Sequence, residues 1–200
     1  MKHICLTGLD GCGKTTQAQL LAQVLPKSRI VSIWDIIKRP EFQAWTIYQK
    51  PPKVEQYVAN LHPVSRVLFV FHAFNEAYQK ALKSDVDYLI FDGYWYKYWA
   101  IEQAMEAPAS FKDFLKQQYP VPEWTFYLNL SIAEILKRKK DISIYESDNQ
   151  IAEKQSAFIH IQEKAKPILT DLLPHHAIYI DGMLSPDNIH RDILKELNKH

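Results

Sequence analysis

The chain has 200 residues, 47 % hydrophobic and 24 % charged, with a formal net charge of +1. Those proportions suit one globular domain with a full-sized core, and so small a net charge gives no global field for a nucleic-acid polymer. No apolar run approaches the roughly 18 residues of a membrane span, so neither polymeric nucleic acid nor a membrane is an expected partner.

The first strand begins almost at once, with no charged-then-apolar leader, which predicts a cytoplasmic location. Cys5 and Cys12 are the only cysteines, and no Cys/His spacing suggests a zinc site or disulfide framework. Cys5 alternates into a buried strand. Cys12 lies where helix N-terminal N–H groups would lower a thiol pKa, against the plainer reading of a small tolerated side chain.

Ile4-Cys5-Leu6-Thr7 predicts a buried central strand. It feeds Gly8-Leu9-Asp10-Gly11-Cys12-Gly13-Lys14-Thr15-Thr16, a G-x-x-x-x-G-K-[ST] pattern. Glycines let such a loop curl with its N–H groups inward, an anion nest at the start of a helix. Gly8, Asp10, Gly11, Cys12, Gly13, Lys14, Thr15 and Thr16 are therefore the candidate nucleotide-binding residues. Lys14 would reach the β- and γ-phosphates of a nucleotide, and the Thr15 hydroxyl would sit on the Mg2+ that bridges them.

Ala18, Leu21, Ala22 and Leu25 recur at helical spacing until Pro26 stops the run. Arg29 to Trp34 predicts the second strand. Three prolines interrupt Asp35–Pro63, where helical pieces are expected over Glu41–Gln49 and Val54–Leu61. From Val64 to Leu82 an apolar helical stripe includes Val67, Val70, Phe71, Phe74 and Tyr78. Phe69 stands off that stripe with Arg66 and His72 three residues to either side, a trio placed to face a ligand.

Tyr88-Leu89-Ile90-Phe91 predicts a strand tipped by Asp92, the second candidate for catalysis and for the metal shell. Helices follow over Trp95–Ala107 and Phe111–Gln118, then a fourth strand, Trp124–Leu128. Ser131 and Glu134 form a capping box for helix Ile132–Arg138. Lys137-Arg138-Lys139-Lys140 either complements that helix dipole or belongs to a mobile basic lid over roughly 137–149, with Arg138 stabilising the transferring phosphate. A long helix from Asn149 to about Leu173, a fifth strand Ala177–Asp181 and a helix Ser185–Leu197 close the chain. The expected fold is α/β: a single three-layer P-loop NTPase domain over 1–200, its five-stranded parallel sheet flanked by helices and carrying a helical lid.

Together these features resemble the thymidylate kinase family of nucleoside monophosphate kinases. The resemblance rests on Leu9 to Gln17, Val67-Leu68-Phe69, Phe91-Asp92-Gly93-Tyr94-Trp95 and the tail from Ile180-Asp181-Gly182 to Ile189. It implies transfer of the γ-phosphoryl of ATP to a nucleoside monophosphate, dTMP by default. Lys14, Asp92, Asp10 and Arg138 would then be catalytic, Asp10 meeting the acceptor sugar or metal shell, and Phe69 would stack on the acceptor base. Homodimerisation through helices is a family habit that Phe71, Phe74 and Tyr78 permit. Gly93 and Ala73 stand where the family has acceptor-gripping arginines, and Lys97, Ile101 and Glu102 replace its serine, tyrosine and glutamine. Either Arg66, Lys97, Lys38 or Arg39 supplies the missing charge, or the acceptor differs. An ATP-binding regulator and a kinase of nucleosides or other small molecules are the alternatives.

Overall fold

The computed structural model describes residues 1–38 and 51–199. Arg39 and the expected helix Glu41–Gln49 lie outside them. Strand β1 (Lys2–Thr7) leads through the glycine loop to α1 (Lys14–Val24), then β2 (Ser28–Val31) and a short 3-10 helix (Ile33–Lys38). Next come α2 (Pro51–Ala59), α3 (Pro63–Leu82), β3 (Tyr88–Asp92), α4 (Trp95–Ala104), α5 (Phe111–Gln118) and β4 (Trp124–Asn129). The chain continues through α6 (Ile132–Arg138), α7 (Lys154–Leu172), β5 (Ile178–Asp181) and α8 (Pro186–Leu197).

The five strands form one parallel sheet in the order β2-β3-β1-β4-β5. Both faces are covered, so alternate residues enter different cores. Cys5, Phe91 and Tyr127 join one with α3, α4 and α7. Ile4, Leu6, Ile90 and Phe126 join the other with α1 and α8. The chain order reverses between β1's neighbours β3 and β4, and a doubly wound sheet binds ligands beyond the strand ends at that point. There the pairing of Leu6 with Asp92 sets the tip of β3 beside the glycine loop.

Several boundaries move for physical reasons. Strand β2 ends at Val31, and Ile33 and Trp34 enter the 3-10 helix instead, where Asp35 accepts from the Ser32 N–H. Helix α4 stops at Ala104, since Glu106 takes a left-handed φ of 71°. Residues 149–153 are not helical, because Asp148 and Asn149 both have positive φ, and α7 starts at Lys154. Half of the expected capping box forms: the Glu134 N–H donates to Ser131 Oγ at 3.2 Å, while the Glu134 carboxylate turns to Lys137 and Arg138. Phe71, Phe74 and Tyr78, the stripe that permitted a dimer, are buried in the chain's own core. Phe74 packs edge-on against Tyr94 and Tyr119.

Candidate nucleotide site

The loop between β1 and α1 is shaped for an anion. Gly13 is the N-cap of α1 with φ 104°, a left-handed conformation that glycine adopts without a Cβ penalty. No side chain caps this helix, and its first turn carries no acidic residue. Its N-terminal N–H groups therefore remain available to phosphate oxygens.

Lys14 is buried and bends back over the loop, Nζ donating to the carbonyls of Leu9 at 2.8 Å and Gly8 at 3.1 Å. Burial alone would lower its pKa, but Cys12 first and then the Asp10 and Asp92 carboxylates hold it above the ordinary value. One residue on, the Thr15 hydroxyl donates to Asp92 Oδ2 at 2.7 Å. Two hard oxygens thus meet at the mouth of the loop. That pair fits magnesium, which takes one or two protein ligands and completes its shell with water and substrate phosphate. The described residues hold no cluster of three or more His, Cys, Asp or Glu that would make a protein-only cage.

A cavity of about 660 Å³ opens over the loop, within the range of small-molecule sites. Asp10, Lys14, Thr15, Thr16 and Asp92 line one side, and Lys97 and Tyr98 of α4 another. Lys97 pairs with Asp10 at 2.7 Å. Burial would raise the Asp10 carboxyl, but Lys97 and Lys14 outweigh it and hold the group at about 2. Gln162 of α7 fixes the same residue, accepting from its N–H at 3.1 Å.

The segment after α6 covers the cavity with Lys139, Asp141, Ser143, Tyr145 and Glu146. Lys139 pairs with Glu146 at 2.8 Å and lies over the Phe158 ring. Arg138, expected at the transferring phosphate, is instead bonded to the Gly182 carbonyl at 2.8 Å and lies outside the cavity lining. The basic cluster therefore sends its third residue, not its second, to the site.

The trio on α3 does not converge on one ligand. Arg66 is buried and committed to Glu102, Asp148 and the Met105 carbonyl. His72 is exposed and lines neither this cavity nor the recess beside it. Phe69 packs edge-on against Tyr57 and lines that small apolar recess. Cys12 is buried, and burial pushes its thiol up rather than down, so the plainer reading holds.

Gly93 has φ +84°, and a Cβ there would lie 2.8 Å from the Tyr98 hydroxyl. That hydroxyl donates to the Asp92 carbonyl at 2.9 Å. Backbone and neighbour together exclude a side chain where the resemblance leads one to expect arginine.

Sequence reading overlooked Lys139 as distinct from Arg138, and missed Trp34, Tyr145 and Glu146 in the cavity wall. Lys97, an expected acceptor residue, does line the cavity, and a signal also existed for Glu102: these are the two charged residues of a ten-residue helix that is otherwise mostly apolar. Charges on so apolar a helix mark partners or a pocket.

The family model for thymidylate kinase matches residues 6–193. The chain belongs to the thymidylate kinase family. Thymidylate kinase from Candida albicans superposes with a TM-score of 0.70 at 18 % identity, covering 99 % of this chain and 92 % of that one. A deoxyadenosine kinase from M. mycoides, solved with dCMP and dCDP bound, gives 0.70 at 14 % identity, covering 99 % and 100 %. Thymidylate kinase from Ehrlichia chaffeensis gives 0.63 at 16 % identity, with 98 % of each chain covered. At these identities the likeness to solved structures establishes the fold, the five-stranded parallel sheet of P-loop nucleotide kinases, and leaves the acceptor open. No helix among the described residues is long and apolar enough to cross a membrane.

Proposed function

We propose that this thymidylate kinase family member transfers the γ-phosphoryl of ATP to a nucleoside monophosphate, with dTMP the first acceptor to test. The observation that supports the reading is the 2.7 Å contact between Thr15 and Asp92 on the same cavity wall as Lys14, which brings together the residue types that would hold donor phosphates and a metal ion. A loose phosphoryl transition state needs alignment and charge more than covalent chemistry. The α1 N-terminus and Lys14 would hold the donor, and Mg2+ held by Thr15 and Asp92 would neutralise charge on its phosphates. Lys139 would meet charge on the transferring group from the lid side. Lys97 is the candidate for the acceptor phosphate: an ammonium has three donors, and Asp10 occupies one.

A nucleoside acceptor is the second reading, and the closed position at Gly93 favours it. Without that arginine a phosphate is gripped less well, whereas a neutral hydroxyl needs only a base, and the Asp92 carboxylate lines the same cavity. An acceptor screen with ADP readout, run beside ATP calorimetry, decides between them. ADP formed with dTMP supports the proposal. ADP formed only with nucleosides selects the second reading, and ATP binding without ADP from any acceptor selects a regulator.

A further inference from the structure

The nucleotide cavity and the apolar recess beside it share three residues, Ile33, Trp34 and Tyr145. The recess is also lined by Phe69, Val58 and Ala73 and has only about 10 Å³ of room, the space of a single water. Two aromatic residues at the apolar end of a nucleotide-sized cavity suit a flat heteroaromatic ring. Tyr145 stands between this recess and the phosphate end, and it is buried.

Its position is over-determined by charges away from the phosphates. The Tyr145 hydroxyl donates to Glu102 Oε1 at 2.6 Å, and Glu102 Oε2 accepts from Arg66 Nε at 2.9 Å. Arg66 Nη1 reaches back to the lid at Asp148 Oδ1, 2.6 Å away. Asp148 and Asn149 hold positive φ, 47° and 63°, the left-handed turn that Asp and Asn accept more readily than other side chains. Asn149 donates to Asn60 at 2.9 Å, a third tie between lid and helices. Arg66 and Glu102 are both almost wholly shielded from solvent, so neither guanidinium nor carboxylate is displayed to a ligand. Burial pushes the Glu102 carboxyl up, against the opposing pull of Arg66 and the Tyr145 hydroxyl.

We propose that Tyr145 is the residue that sets which acceptor bases the site admits, and that Arg66 and Glu102 are positioning residues that hold it there. The inference rests on the kinase reading of this cavity and adds the acceptor selectivity to it. With the Tyr145 ring in place the recess has no room for the second ring of a purine. Pyrimidine monophosphates are the favoured class. Removing the ring joins recess to cavity, and loosening the catch lets the ring swing.

The test is calorimetric binding of dTMP and dGMP to the full chain in the presence of a non-hydrolysable ATP analogue, for wild type, Tyr145→Ala, Tyr145→Phe and Arg66→Lys. Wild type is expected to favour dTMP. Tyr145→Ala raises the dGMP-to-dTMP affinity ratio at least tenfold. Tyr145→Phe keeps the ring and shifts the ratio only a few-fold, as does Arg66→Lys, which lacks the planar fork that spans Glu102 and Asp148. A far-UV circular dichroism spectrum like that of wild type and a cooperative melt show that each variant is folded, and Tyr145→Leu replaces Tyr145→Ala if the latter is not. A ratio unchanged in Tyr145→Ala, or equal weakening of both nucleotides, overturns the inference. Acceptor binding without phosphoryl transfer in a parallel ADP assay overturns the proposed function alone. A wild type that binds neither monophosphate overturns both.

Discussion

The Thr15 hydroxyl and the Asp92 carboxylate meet at 2.7 Å although 77 residues separate them. Parallel pairing of β1 with β3 makes this meeting, since Leu6 lies opposite Asp92 and the glycine loop returns from the end of β1. A hydrogen bond to a charged group is worth about 1.5–3 kcal/mol, roughly ten- to a hundredfold in a rate or binding constant. Thr15→Val is expected to lower kcat/KM for Mg-ATP by that factor, while Thr15→Ser retains most of it. Steady-state kinetics over a magnesium titration checks both, and full activity in Thr15→Val would remove the hydroxyl from the metal shell.

On the proposed function donor binding would depend on Lys14, whose ammonium occupies the Gly8 and Leu9 carbonyls in this conformation. Phosphates offer it a full negative charge in exchange for two neutral acceptors. Lys14→Ala should therefore weaken Mg-ATP binding by at least tenfold, read by calorimetry. Absence of ATP binding by the wild-type protein at millimolar concentration would sink the phosphate-loop reading itself.

What the sequence made legible was local or periodic. The glycine loop, the strand tipped by Asp92 and the N-cap at Ser131 each follow from a short motif beside an apolar run, and each stands where it was expected. The basic cluster was legible, but which of its cations enters the cavity depends on where α6 ends. Lys139 leaves the helix as its C-cap, whereas Arg138 stays on the last turn facing Gly182. The Arg66–Glu102–Tyr145 chain was illegible because its members lie on three separate stretches with no shared period. Residues paired only by tertiary packing leave no spacing to read.

The geometry at the end of α6 reverses the weight given to two adjacent cations. Neutralising Lys139, which lines the cavity, should lower kcat with little change in the ATP KM, because it would meet charge that develops during transfer. Arg138→Ala should chiefly loosen the contact with Gly182 and leave kcat within a few-fold of wild type. Parallel kinetics on Lys139→Met and Arg138→Ala decides this: a larger kcat loss in Arg138→Ala would place the catalytic cation on the helix after all.

At position 93 the structure predicts that restoring an arginine fails. Gly93→Arg must hold φ near +84° and push aside the Tyr98 hydroxyl, which is buried and bonded to the Asp92 carbonyl. A non-glycine residue in a sparsely populated backbone region costs about 1–3 kcal/mol before the clash is counted. Gly93→Ala and Gly93→Arg should both melt earlier than wild type, and Gly93→Arg should show no gain in dTMP affinity. A stable Gly93→Arg protein that binds dTMP more tightly would show that Tyr98 yields.

The Asp10–Lys97 pair gives the chain an acid-sensitive element. Asp10 titrates at about 2 in the folded chain against an ordinary 3.8, because Lys97 and Lys14 outweigh the burial that would raise it. A depressed folded pKa means that the unfolded chain binds the proton more readily, so the contribution is complete above about pH 4 and fades as pH falls through about 2. Melting temperatures of wild type and Asp10→Asn should differ by a constant amount from neutral pH down to about 4 and converge below it. Asp10→Asn also strands a largely buried ammonium, 9 % exposed at the side chain, which is costly by itself. The double variant Asp10→Asn with Lys97→Met should therefore be more stable than Asp10→Asn alone. It should also lose acceptor binding if Lys97 holds the acceptor phosphate. A wild-type stability profile parallel to that of Asp10→Asn through the whole acid range would show that the 2.7 Å contact contributes nothing to folding.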